Sequence, residues 1–176
     1  MVTPNSTESL ATRRTTMIPT AHLLNGFIGS GKTTFARRLE RECGAVRYTH
    51  DEWMVKIHGW NPPEESYGEY FAQIENLIWQ EATLAIRAGT DVILDFGFWT
   101  RESRDVARNR ARSIGAIAKL YEVSCPQQIM RARALERSKS PSTDALWIDG
   151  TGYDKLMAKF EPIQEDEVFV RIDGST

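Results

Sequence analysis

Apolar residues gather by turns in short runs and at helical spacing along this chain, and the alternation predicts strand and helix in succession to its end. A run at about Ala21–Asn25 reads as a buried strand. A glycine-rich turn follows, then a helix-forming stretch from Phe35 to about Cys43 that Gly44 ends. Ala45–Thr49 reads as a second strand, Asp51–Ile57 as a helix, and Gly59-Trp-Asn-Pro-Pro63 as a break. Between Glu64 and Ala88 the apolar positions Phe71, Ile74, Leu77, Ile78, Leu84 and Ala85 recur at helical spacing, with Gly89 as the stop. Asp91–Phe96 is a compact third strand. Thr100–Ser113 is an Arg-rich helix with Val106, Ala107, Ala111 and Ile114 inward, and Ala116–Ser124 is a fourth strand. Pro126 opens the next helix at a favoured first-turn position, and that helix runs to about Ser138. A polar loop, Lys139–Thr151, leads to a last helix near Tyr153–Phe160 and a last strand at Glu167–Ile172.

Five strands alternating with helices predict an α/β domain of three layers, a parallel sheet covered on both faces. In such sheets ligands gather at the carboxyl ends of the strands. No internal repeat is visible.

Composition narrows the class without choosing a function. With 176 residues, 41% apolar and 26% charged, the chain reads as one soluble globular domain with a self-sufficient core. No run of 18 apolar residues exists, so no membrane-spanning helix is expected. Residues 1–16 are rich in Ser and Thr without apolar periodicity. They read as a disordered leader to a domain at 17–176, with Met17 as a plausible alternative start, and they lack the apolar core of a secretion signal. Cys43 and Cys125 fit neither a zinc site nor a disulfide framework. They read as two small buried hydrophobes, which suits a reducing cytoplasm. Net charge is −2, but residues 97–140 carry 10 basic against 4 acidic groups. That stretch is too small to argue for duplex nucleic-acid binding and large enough to serve a polyphosphate.

The first strand runs into Gly26-Phe27-Ile28-Gly29-Ser30-Gly31-Lys32-Thr33, a G-x-x-x-x-G-K-T loop. Glycines let backbone N–H groups turn inward around phosphate oxygens. Lys32 reaches the β- and γ-phosphates, the Thr33 hydroxyl holds Mg²⁺, and Thr34 adds a hydroxyl to the α-phosphate. The helix that follows brings its positive end to the same anion. The order of Gly26, Gly29 and Gly31 is not that of a dinucleotide fingerprint.

Other candidates stand at strand ends. Asp51, after the second strand, can accept the proton of an attacking hydroxyl; capping of the next helix is a compatible role, and Glu52 is a weaker candidate. Asp95, after Val92-Ile-Leu, suits the Mg²⁺ side of the site or a plain turn. Gly97 admits close approach of a substrate or of backbone. Arg133 and Arg137 share a helix face while Arg131 points elsewhere, so the pair can fold over a triphosphate as a lid or sit in solvent. Arg101, Arg104 and Arg108 lie beyond the third strand, where orienting an acceptor competes with a mostly surface position. Trp53 and Trp99 can wall an acceptor or fill the core. His22, His50 and His58 have no metal-ligand spacing.

This ordered set resembles the small phosphate-loop kinases related to chloramphenicol phosphotransferase, zeta toxins and gluconate kinase. The matching pieces are Gly26–Thr34, His50-Asp51-Glu52, Val92–Gly97, Arg133-x-x-x-Arg137 and Phe160-Glu161-Pro162 before the last strand, which together span nearly everything after Met17. The resemblance implies an adenylate-kinase-like P-loop NTPase fold with strand order 2-3-1-4-5 and a helical lid at about 131–151. It also implies ATP with Mg²⁺, an acidic base after the second strand, and lid arginines at Arg133 and Arg137. Asp95-Phe-Gly97-Phe-Trp stands where nucleoside monophosphate kinases carry Asp-Gly-x-Pro-Arg, which counts against a nucleotide acceptor.

The expected activity is transfer of the γ-phosphate of ATP to a hydroxyl of a small molecule. Thr33 and Asp95 would hold Mg²⁺, Lys32, Arg133 and Arg137 would balance charge, and Asp51 would act as base. Rival readings are a nucleotide-gated switch working through a partner and the 139–151 loop, and a 5′-hydroxyl nucleic-acid kinase using the 97–140 arginines. The overall negative charge opposes the latter.

Overall fold

The computed structural model describes residues 17–175; the expected leader, residues 1–16, lies outside the described residues. Five strands form one sheet: β1 (Thr20–Asn25), β2 (Val46–Thr49), β3 (Val92–Gly97), β4 (Ile117–Ser124) and β5 (Val170–Asp173). Their order is β2-β3-β1-β4-β5, and every neighbouring pair is parallel. The helices are α1 (Lys32–Cys43), α2 (His50–His58), α3 (Glu64–Arg87), α4 (Arg101–Ser113), α5 (Gln127–Arg137) and α6 (Gly150–Met157).

The centre of the sheet falls where the strands are apolar on both faces. Ala21, Leu23 and Leu24 of β1 and Val92, Ile93 and Leu94 of β3 are wholly buried. Alternation then sorts them into two layers. Leu23 and Leu94 join Met54, Ile74, Ile78, Trp79 and Ala107 beneath α2, α3 and α4. Leu24 and Ile93 face the other way, onto Phe35, Ala36 and Leu39 of α1.

Three expectations from the apolar pattern are corrected. In α3 the buried stripe passes through Ile74, Ile78, Ala82 and Ile86 with Trp79, so Leu77 and Leu84 fall on its flank and are exposed. A 24-residue helix carries more apolar positions than one sheet face can cover. In α4, Ala107 and Ala111 are buried and Val106 is exposed. Cys43 is exposed and Cys125 half-buried, both free; they sit at element ends, not in the core. The last helix also starts earlier than its periodicity suggests, because the Asp149 carboxylate caps it, accepting from the Gly152 N–H at 2.6 Å.

Arg104 departs furthest from a surface reading. Its guanidinium is fully buried, 2.7 Å from the buried Glu167 carboxylate. It also donates to the carbonyls of Phe98, Trp99, Glu161 and Pro162. The Glu161 carboxylate accepts from the Arg101 N–H at the start of α4, and the Glu161 N–H donates to the Trp99 carbonyl. Phe160 packs edge-on against Phe27. Phe160-Glu161-Pro162 is thus a clasp that fastens the segment before β5 to the exit of β3 and to the loop after β1.

Candidate active site

The carboxyl end of β1 delivers Asn25 into the glycine loop, and local geometry requires each glycine there. Gly29 and Gly31 take φ of 82° and 96°, a region that side chains avoid. A Cβ on Gly29 would stand 2.2 Å from the Met130 carbonyl oxygen, and one on Gly26 2.4 Å from that of Val123. Gly31 is the N-cap of α1 and supplies no side-chain cap, so the first N–H groups of the helix stay available to an anion. The Ser30 hydroxyl is buried without a partner. The Lys32 ammonium donates only to the Phe27 carbonyl, at 3.3 Å. Burial pulls its pKa down, and Asp95 and Asp51 pull it back up. An unpartnered hydroxyl, open helix N–H groups and a half-buried ammonium together fit a chain of phosphates.

The loop is braced from behind. Phe27 turns away from the cradle into Trp99, Tyr153 and Phe160, with ring centroids 4.9, 5.0 and 5.6 Å away. The Trp99 indole N–H donates to the Gly26 carbonyl at 3.2 Å, and the Gly26 N–H to the Gly97 carbonyl at 3.1 Å. Trp99 is therefore a buttress of the loop and not an acceptor wall. Gly97 is needed for the same reason, since a Cβ there would lie 2.6 Å from the Trp99 ring nitrogen.

Two carboxylates flank Lys32. Asp95, at the end of β3, is buried and accepts from the Thr33 hydroxyl at 3.0 Å. Burial raises its pKa, while Lys32 and the Thr33 hydrogen bond lower it. Hydroxyl and carboxylate oxygens beside a phosphate cradle are the donors Mg²⁺ prefers, with phosphates and waters completing its shell. Among the described residues no group of three or more His, Cys, Asp and Glu side chains could hold a metal ion. Asp51 lies in the first turn of α2 and forms no cap; the N-cap is Thr49. Burial raises the Asp51 pKa too, against the pull of Lys32 and Arg137. Glu52 differs: the Arg47 guanidinium holds it at 3.0 and 3.3 Å and Arg37 lies 3.5 Å away.

The arginine pair of α5 is divided. Arg137 is close enough to act on both Lys32 and Asp51. Arg133 instead donates to the carbonyls of Gly174 and Ser175, both at 2.6 Å. The stretch after β5 packs on the phosphate loop so closely that a Cβ on Gly174 would stand 1.8 Å from the Ser30 carbonyl oxygen. Arg131 pairs with Asp154 at 3.2 Å, away from the site. From the end of α5, residues 138–149 form an irregular strap. The Asp144 carboxylate accepts from Arg37 of α1 at 2.9 Å, and the Trp147 N–H donates to the Trp60 carbonyl at 3.1 Å.

Arg104, Glu167, Tyr67 and Asp144 are the residues that sequence reasoning passed over or misplaced. Tyr67 lies in the first turns of α3 near Asp51, its phenol pKa raised by burial and then by Asp51. His50 is buried, stacked on Phe71 at 3.9 Å, with its Nε2 3.1 Å from the Phe71 carbonyl. Burial holds it neutral, with a pKa of about 4. His50 is a core residue.

A parallel sheet in this order, with a glycine loop at the carboxyl end of its central strand, defines the nucleotide-binding P-loop kinase fold. The chain belongs to the AAA domain family AAA_33, whose sequence model matches residues 22–163. Among solved structures it is similar to a presumed kinase from Chloroflexus aurantiacus J-10-fl, at 14% identity over 89% of each chain with a TM-score of 0.71. It is also similar to a gluconokinase from Sinorhizobium meliloti 1021, at 14% identity over 90% of this chain and 85% of that one, TM-score 0.60. Kti12 from Chaetomium thermophilum, in complex with ADP-AlF3, matches at 14% identity over 88% of this chain and 89% of its own, TM-score 0.62. Identities this low speak for the fold alone. Comparison with curated proteins gives no match. No helix among the described residues is long and apolar enough to cross a membrane.

Proposed function

We propose that this protein is an ATP-dependent kinase that transfers the γ-phosphate to a hydroxyl of a small molecule, with Asp51 as general base. One observation carries the reading. In the first turn of α2, Asp51 alone of the two neighbouring acids is free of an ion pair, and it shares the field of Lys32 and Arg137. A carboxylate whose pKa is raised by burial is the better proton acceptor.

In the reaction the acceptor oxygen attacks the γ-phosphorus while its proton passes to Asp51. The bond from the γ-phosphorus to the β–γ bridging oxygen breaks, and ADP leaves. Lys32 and the open N–H groups of the loop hold the charge that builds on the leaving oxygens, and Arg137 approaches from the strap side. Thr33 and Asp95 would hold Mg²⁺, which would supply neutralisation of the phosphate charge. Arg133 serves through the main chain, holding Gly174 and Ser175 against the outer wall of the loop, and Thr34 stands at the exposed start of α1 for the α-phosphate. A cytoplasmic setting suits the two free thiols.

A small acceptor is preferred to a nucleic acid because the three arginines just beyond β3 are neutralised within the molecule. Arg101 is paired with Asp105 and Asp166, Arg108 with Asp105 and Glu167, and Arg104 with Glu167. Hydroxyl compounds that shift thermal stability with ADP and Mg²⁺ present would be taken to turnover with ATP. A kinase gives phosphorylated product and ADP in equal amount; ADP alone would favour the switch. Asp51→Asn should keep ATP affinity and lose about 10² to 10⁴ in kcat. Transfer by this variant at the parental rate removes Asp51 as base.

A further inference from the structure

Asp51 is the second residue of α2, and no loop separates that helix from β2. Nothing grips its carboxylate directly: among the described residues it forms no hydrogen bond or ion pair, and only charges at a distance act on it. A base that must meet one oxygen atom still needs a fixed place, since misplacement by about 1 Å can cost roughly two orders of magnitude in rate. Its neighbours in the chain supply that place. His50, one residue before, is buried and stacked on Phe71 with centroids 3.9 Å apart, its Nε2 3.1 Å from the Phe71 carbonyl oxygen. Glu52, one residue after, is gripped by two nitrogens of Arg47, at 3.0 and 3.3 Å.

Thr49-His-Asp-Glu52 has the spacing of a capping box, in which the Thr hydroxyl and the Glu carboxylate would bond N–H groups at the start of the helix. The box is not made. Thr49 is the N-cap, and its side chain accepts no N–H of α2. Arg47 takes both groups instead, donating to the Thr49 hydroxyl as well as to the Glu52 carboxylate. Its third nitrogen, Nε, reaches Glu40 of α1 at 3.4 Å, and Arg37 of the same helix lies 3.5 Å from Glu52. The Arg47 side chain is only 12% exposed, so water competes little, and a planar fork fixes geometry better than an ammonium would. The turn that carries Asp51 is thus tied to the helix that starts at Lys32 of the phosphate loop.

We infer that Arg47 is a positioning residue for the transfer: by holding Thr49 and Glu52 and bridging to Glu40, it sets the first turn of α2 so that Asp51 meets the acceptor hydroxyl at the phosphate loop. The inference rests on the kinase reading and deepens it. An arginine that served stability alone would change how much protein is folded, whatever residue stood at position 51. One that acts through the base matters only while the base is present, because groups working as a unit are not additive.

The test compares the parent, Arg47→Gln, Asp51→Asn and the Arg47→Gln/Asp51→Asn double variant, all as the full chain. Each is given radiolabelled ATP and Mg²⁺ with glucose, gluconate, uridine or a 5′-hydroxyl oligonucleotide. Labelled product gives kcat and KM, calorimetry gives ATP affinity, and thermal melts check the fold. Arg47→Gln should keep ATP affinity within about twofold and lower kcat about 10- to 100-fold. In the Asp51→Asn background the same change should alter kcat by less than about twofold. A loss by the same factor in both backgrounds overturns the inference and leaves the kinase reading standing, as does a loss confined to KM. Glu52→Gln repeats the comparison from the other side of the clamp if Arg47→Gln does not fold: it should lower kcat in the parent and be silent in Asp51→Asn, and equal losses in both overturn the inference. Intact ATP binding with no product from any of these compounds takes the kinase reading away and the inference with it.

Discussion

Replacing Glu167 by Gln takes a negative charge out of the interior and leaves a guanidinium behind. The Glu167 and Arg104 side chains are both fully buried, with N and O 2.7 Å apart. Arg108 donates to the same carboxylate at 2.6 Å and the Gln164 N–H at 3.0 Å. Burial by itself would raise the Glu167 pKa, but these donors prevail and bring it to about 2 from 4.5. The fold thus favours the ionised form by roughly 3 kcal/mol. The sign is that of a depressed carboxylate: the contribution is whole above about pH 4.5 and disappears as pH falls toward 2. Breaking a buried pair by removing one partner costs about 3–5 kcal/mol, so the two routes meet near 3–4. For a domain of this size that is a fall in Tm of roughly 6–16 °C. Urea and thermal melts of the parent, Glu167→Gln, Arg104→Met and the Arg104→Met/Glu167→Gln double variant measure it. The double variant should lose less than the sum of the singles. A loss below about 1 kcal/mol in Glu167→Gln, or strict additivity, would refute a desolvated ion pair at this position.

The remaining expectations concern the loop and the core. Gly174→Ala forces a methyl into the Ser30 carbonyl and should weaken ATP binding at least about tenfold. Gly44→Ala meets open space at φ 68° and should cost about 1 kcal/mol without touching affinity; equal affinity losses in the two, by calorimetry, would contradict the close packing. Gly68→Ala, in α3 with nothing within 4 Å, should stabilise by about 0.5–1 kcal/mol in the same melts. Because burial holds His50 at a pKa of about 4 against 6.5 unfolded, the unfolded chain takes up the proton first as pH falls. Stability should drop between pH 6.5 and 4, by about 2 kcal/mol at pH 5. This limb should vanish in His50→Phe; identical pH slopes in urea would show that His50 is not the buried base.

Local signals determined much of this protein. The apolar runs marked the strands to within a few residues, because a strand covered on both faces has to be apolar on both faces. The loop was legible because phosphate binding asks for glycine at fixed intervals and a lysine next to them, all within eight consecutive residues, Gly26 to Thr33. Other outcomes needed distant pieces of chain to meet. Periodicity gave α3 a helical stripe but could not say that its edge would stop short of Leu77 and Leu84, which the width of the sheet decides. Arg133 and Arg137 are alike in sequence, and only the return of residues 174–175 beside α5 turns one toward main-chain carbonyls while the other stays near Asp51. Arg104 reads as surface until Glu167, 63 positions later, is folded against it. What lies within one turn or one strand is governed by local sterics and was written in the residues themselves; which charges end up paired depends on long-range contacts, and only tertiary structure decided that.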